Sequence, residues 1–186
     1  MKTIIVLAVH GSPPKDFPRR ELAEFFGLHG RLENAAGKAQ EQLQQRHDVL
    51  EARMRAWPRT VENDPFYAAS HEIARKLAHA LGPEVLVGFN EFCAPSLDEA
   101  LDLAAQEGAE RIVVTTPMMT QGGGHAEQDI PVALDRARER HPKIDFRYAW
   151  PFDPADVAEF LAKELVRHLQ ESMAPGSNIV ESGPLH

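Results

Sequence analysis

The chain has 186 residues, 43% of them hydrophobic and 26% charged, the balance of a globular protein rather than of a disordered segment. Its single cysteine, Cys93, excludes an intrachain disulfide framework and a four-cysteine zinc site. A net charge of −8 argues against binding along a phosphate backbone, and no apolar run approaches the ~20 residues that cross a bilayer, so a soluble, cytoplasmic protein with no nucleic-acid or membrane partner is expected.

The first element, 2–9 (KTIIVLAV), is a short apolar run that reads as a strand buried on both faces. The 50 residues from 13 to 62 break the pattern that follows. They open with a loop, continue in a short helical piece near 20–27, and predict one longer helix over about 31–57. Its apolar stripe of Leu32, Ala36, Ala39, Leu43, Leu50, Met54 and Trp57 is interrupted by Arg46 and Arg53. The segment holds nine basic and eight acidic residues, so the acidity lies in the rest of the chain.

Beyond it, strands and helices alternate. A helix over 65–81 starts at Asp64-Pro65, an N-cap followed by a first-turn proline. The run 84–92 predicts a strand, and 96–107 a helix in which Ser96 and Glu99 have the spacing of a capping box. Strands at 111–118 and 144–150 flank a helix over 126–140, and a last helix covers 154–170. Alternation of this kind predicts an α/β fold in three αβα layers, with a four-stranded parallel sheet. The expected organisation is one domain over 1–170, carrying the helical insertion 13–62, and a flexible tail over 171–186.

In an open parallel sheet, ligands bind outside the carboxyl ends of the strands. His10-Gly11-Ser12 ends the first strand, Glu91 the second, and Gln121-Gly122-Gly123-Gly124-His125 follows the third. Two imidazoles and a carboxylate from three strand ends form a ligand set suited to a divalent first-row metal. The glycines let a backbone approach a ligand closely and offer N–H groups to an anion before the next helix. Taken singly, His10 is more often a hydrogen-bonded strand end, a glycine run is a weak signal that a wide turn also explains, and Cys93, Met118 and Met119 are more readily buried fillers.

The segments VHGS, FNEFCAPSLDEAL and ERIVVTTPMMTQGGGHAEQDIP, in this order, resemble the sirohydrochlorin chelatases, the short-form CbiX-type cobaltochelatase and ferrochelatase family of class II chelatases. The resemblance covers 1–12 and about 63–152. It implies a chelatase-like half-unit that pairs as a homodimer. It further implies that the protein inserts Co2+, Fe2+ or Ni2+ into sirohydrochlorin or a related tetrapyrrole. On that resemblance His10 and His125 hold the metal, with Glu91 as ligand or proton acceptor. Ser12, Ser96, Gly122, Gly123 and Gly124 are then candidates for contacting the substrate carboxylates. No cofactor beyond the substrate metal is expected.

The chain departs from the family pattern in the insertion, which leaves the rim of the expected site and is read as a lid, a cleft wall or part of a dimer interface. Pro13 also stands where an arginine is frequent in the family. A non-catalytic tetrapyrrole- or metal-binding protein of the same fold is the competing reading. A histidine phosphatase is disfavoured because Val9 precedes His10 where that chemistry needs arginine, and a nucleotide-binding enzyme because neither G-x-x-x-x-G-K-S/T nor G-x-G-x-x-G occurs.

Overall fold

A computed structural model describes residues 1–32 and 34–171 of the chain. Apart from Glu171, the expected tail lies outside the described residues. Met1–Trp150 forms one compact unit and the chain from Pro151 a second, which holds a helix, Pro154–Glu171. Among the described residues no helix is long and apolar enough to cross a membrane.

Four strands, β1 (Thr3–Val9), β2 (Val85–Phe89), β3 (Arg111–Thr115) and β4 (Asp145–Tyr148), form an all-parallel sheet in the order β2-β1-β3-β4. β1 lies inside the sheet with both faces covered, which is why its sequence is apolar from Ile4 to Val9. The α-helices described in this unit are α1 (Arg19–Leu32), α2 (Gly37–Arg55), α3 (Pro65–Leu81), α4 (Leu97–Gln106) and α5 (Ile130–Arg140). Alternate β1 residues serve opposite faces: Ile4, Val6 and Ala8 pack with α4 and α5, Leu7 and Val9 with α3. The β1-to-β2 connection runs one way along the sheet and the next two run back. Right-handed crossovers therefore place α3 on one face and α4 with α5 on the other, giving the three layers.

The caps follow the sequence. Asp64 accepts the Tyr67 N–H at the start of α3, and Ser96 and Glu99 form a reciprocal capping box on α4. The insertion differs from expectation. Its first helix runs fourteen residues, and the single long helix over 31–57 is replaced by a turn before α2 begins at Gly37. The two helices pair as a hairpin with its own apolar cluster of Phe17, Phe25, Leu28, Leu50 and Met54. Arg46 and Arg53, which interrupt the α2 stripe, reach across to Glu24 and Glu21 of α1.

On the other side of the sheet, Asp98 of α4 binds Arg136 and Arg140 of α5. Partial burial pulls its carboxyl up, but the hydrogen bonds and charges of both arginines outweigh this and hold it below its ordinary range. A depressed carboxyl contributes stability above its unfolded-state pKa and loses it as pH falls through the folded value. Asp98→Asn is expected to cost up to about 1 kcal/mol near neutral pH, since all three side chains are partly solvated. The difference should close on acidification. Urea titrations of both proteins at pH 7 and pH 3 check it.

Candidate metal centre

β1 and β3 are neighbours whose outgoing connections leave in opposite directions, one toward β2 and the other toward β4. Such a switch point leaves a crevice at the carboxyl ends of the two strands. His10 follows β1 and His125 follows β3, and their rings meet edge to face with centroids 4.4 Å apart. Glu91 reaches the same crevice from the loop after β2. Its Oε1 lies 3.5 Å from His10 Nδ1 and 3.8 Å from His125 Nε2. One ligand-type atom from each of the three falls within 4.8 Å of the others.

These separations exceed a good hydrogen bond. They suit a shared ion: two atoms each ~2.1 Å from one metal at a tetrahedral angle lie about 3.4 Å apart. The side chains of His10, Glu91 and His125 are 43%, 35% and 29% exposed, so the set opens to solvent on one side. That openness is what an ion needs in order to arrive and to be passed on.

The expected strand over 84–92 ends earlier, at Phe89, where its partner β1 also ends at Val9. Glu91 therefore stands in a loop. Asn90 N–H still bonds Val9 O, Cys93 N–H closes a tight turn onto Glu91 O, and Phe92 is left-handed at φ 57°. Gly11 lies flat against this turn: a Cβ there would sit 1.6 Å from Glu91 O. Close approach of the two loops is thus the physical content of the glycine in the HGS motif. Burial pushes the Cys93 thiol up, and the side chain is fully enclosed as a small filler.

His125 opens a π-turn, His125–Asp129, in which Ile130 N–H bonds His125 O, and this turn runs into α5. Asp129, one turn on, holds His125 Nδ1 at 2.5 Å. With the Nδ1 proton directed to that carboxylate, Nε2 presents its lone pair toward Glu91, as in carboxylate–histidine–metal arrangements. Sequence reasoning missed this role, although the four-residue spacing from His125 to Asp129 was a legible signal. Tyr148 of β4 donates to Ala126 O at 3.0 Å and pins the same turn to the sheet. Burial raises its pKa, so the phenol remains a donor.

The expected carboxylate-contacting residues are placed as follows. Gly122 is left-handed at φ 90°, with its N–H donated to Glu127 Oε1, and 122–124 are exposed. Ser12 stands on the His10 loop, where its carbonyl accepts from Arg59. Ser96 Oγ accepts the Glu99 N–H of the α4 cap. Met118 packs on the sheet core. A cavity of about 270 Å3 joins the insertion to the site, lined by Phe25, Phe26, His47, Glu51, Glu91 and Phe92. His47, Asp48 and Glu51 on α2 form a second grouping of ligand-type atoms, unforeseen in the sequence. Glu51 there is paired with Arg55.

The CbiX family model matches residues 62–169. A sirohydrochlorin cobaltochelatase of Priestia megaterium is 33% identical over 103 residues, 54% of this chain and 32% of its own length. A sirohydrochlorin ferrochelatase of the same organism is 29% identical over 86 residues, covering 46% and 31%. The chain thus spans about a third of the length of these curated relatives. A solved cobalamin-biosynthesis CbiX protein from Marinobacter aquaeolei VT8 shares the fold, with a TM-score of 0.53 at 16% identity, over 91% of this chain and 98% of that one.

Proposed function

The chain belongs to the CbiX family, and from that premise we propose that it is a metal chelatase acting on sirohydrochlorin or a closely related tetrapyrrole. Co2+, Fe2+ or Ni2+ is the second substrate rather than a resident cofactor. The observation that carries the reading is the convergence of His10, Glu91 and His125 from three different loops on the switch-point crevice.

Insertion exchanges two pyrrole N–H protons for one divalent ion, so the site must strip part of the metal's water shell and accept protons. His10 and His125 as neutral imidazoles bind first-row ions firmly enough to hold them and loosely enough to release them to four pyrrole nitrogens. Asp129 keeps His125 in the tautomer that leaves Nε2 available. Glu91, within reach of both rings, offsets the metal charge before transfer and takes one pyrrole proton as the ion leaves, the second passing to an imidazole that the ion has vacated. A homodimer in the cytoplasm belongs to the same proposal: one chain supplies one open side of a cleft, and a second copy supplies the other.

The test is an absorbance assay of sirohydrochlorin with each of the three ions, with and without the protein. The wild type is expected to accelerate the spectral shift of metal insertion. His10→Ala and His125→Ala are expected to fall by about a hundredfold or more, toward the uncatalysed rate. Folded variants with full activity defeat the assignment. Tight binding of metal and tetrapyrrole without turnover supports a carrier instead.

A further inference from the structure

Glu91 sits on a loop, 90–93, that no strand or helix includes, with one residue in the left-handed region. Such a conformation persists only where the surroundings over-determine it. Here they do, and the determining groups come from the insertion. Arg55, at the end of α2, donates from Nη1 to Cys93 O at 2.8 Å and from Nη2 to Asn90 O at 3.2 Å. Arg59, four residues on, donates from Nη2 to Phe92 O at 2.5 Å. Glu91 O takes the Cys93 N–H. All four carbonyls of the loop are therefore engaged, three of them by two guanidinium groups.

Arg59 also ties this loop to the other ligand loop. Its Nη1 donates to Ser12 O at 2.7 Å, two residues from His10, while Nη2 also holds Met54 O. The guanidinium is 6% exposed and paired with Asp64, which is wholly buried. Arg55 is in turn fixed by Glu51, one helical turn back. A guanidinium suits this work because its planar fork serves several carbonyls at once and its charge does not titrate away.

We infer that Arg55 and Arg59 are positioning residues: the 13–62 insertion sets the geometry of the metal ligands by clamping the Glu91 loop from behind and locking it to the His10 loop. This rests on the reading of His10, Glu91 and His125 as the metal set, and it gives the insertion a duty in the site. Neither arginine belongs to the ligand set. Their effect passes through the backbone that carries Glu91.

The test uses Co2+ binding to the full chain, followed by calorimetry and by the visible absorption of the bound ion, in wild type, Arg55→Gln, Arg55→Lys, Glu91→Ala and the Arg55→Gln/Glu91→Ala double variant. Arg55 is chosen because it is partly exposed, so its loss leaves the buried Arg59–Asp64 pair intact. Arg55→Gln is expected to weaken Co2+ binding about tenfold or more, the usual consequence of removing a group that orients a ligand. Arg55→Lys, which reaches one carbonyl at a time, should recover part of the loss. In the Glu91→Ala background the same change should alter the affinity less than about twofold, because a positioning effect vanishes with the group it positions. Equal losses in both backgrounds, or an unchanged Kd and spectrum in Arg55→Gln, overturn the inference. His10→Ala is the control for the underlying reading. If it binds Co2+ as tightly as wild type, the metal set itself is wrong, and the inference falls with it.

Discussion

Gly11→Ala is expected to abolish Co2+ binding at His10, Glu91 and His125 and to destabilise the fold by about 1–3 kcal/mol or more. The added methyl would stand 1.6 Å from Glu91 O, 2.7 Å from Glu91 C and 3.4 Å from Cys93 N. All three are backbone atoms, so no rotamer change relieves the clash. The strands cannot shift to make room, because β1 and β2 are locked in register from Ile5↔Val85 to Val9↔Phe89. The Glu91 loop must move instead, against the Asn90–Val9 hydrogen bond and the two arginines behind it. Gly124→Ala is the matched control. Its backbone is already helical, at φ −54° and ψ −45°, and an added Cβ meets nothing within 4 Å. Thermal melts and Co2+ titrations of the two variants should separate cleanly. Near-native binding by Gly11→Ala would show that His10 and Glu91 need not share an ion.

The framework of the site was readable because it rests on short-range signals. Apolar runs marked the strands, Asp64 and Ser96 marked helix starts, and the alternation brought His10, Glu91 and His125 to three strand ends on one edge of the sheet. The unread parts depend on contacts between distant segments. Hydrophobicity carries 84–92 past the true end of β2, because Phe92 is apolar for packing on the insertion and on α3 rather than for pairing in the sheet. Arg46 and Arg53 look like defects in one helix, and only the facing Glu24 and Glu21 of α1 explain them. The same holds for Arg55 and Arg59. Periodicity shows two surface charges, whereas the fold uses both to satisfy carbonyls 33 to 47 positions away. Asp129 is the exception: its four-residue spacing from His125 was visible, and only the partner's purpose was missing.

Asp64→Ala is expected to be the most destabilising single change at the junction of insertion and sheet, at about 3–5 kcal/mol, because it leaves the Arg59 guanidinium charged and enclosed without a counter-ion. The same carboxylate caps α3 through the Tyr67 N–H at 2.9 Å, a contact worth roughly 1 kcal/mol alone and not additive with the first. At this chain length the loss corresponds to a fall in melting temperature of roughly 10 °C. Asp64→Asn should lie between Ala and wild type, since the amide oxygen can keep the cap while the charge is gone. The pair replacement Arg59→Met/Asp64→Leu distinguishes stability from positioning. Removing both charges from a buried site spares the desolvation penalty, so this variant should regain much of the stability that Asp64→Ala loses. It cannot regain the donors to Ser12 O and Phe92 O, so its Co2+ affinity should stay low while its melting temperature recovers. Recovery of both together would mean that Arg59 supports the fold alone and that the ligand loops hold their geometry without it.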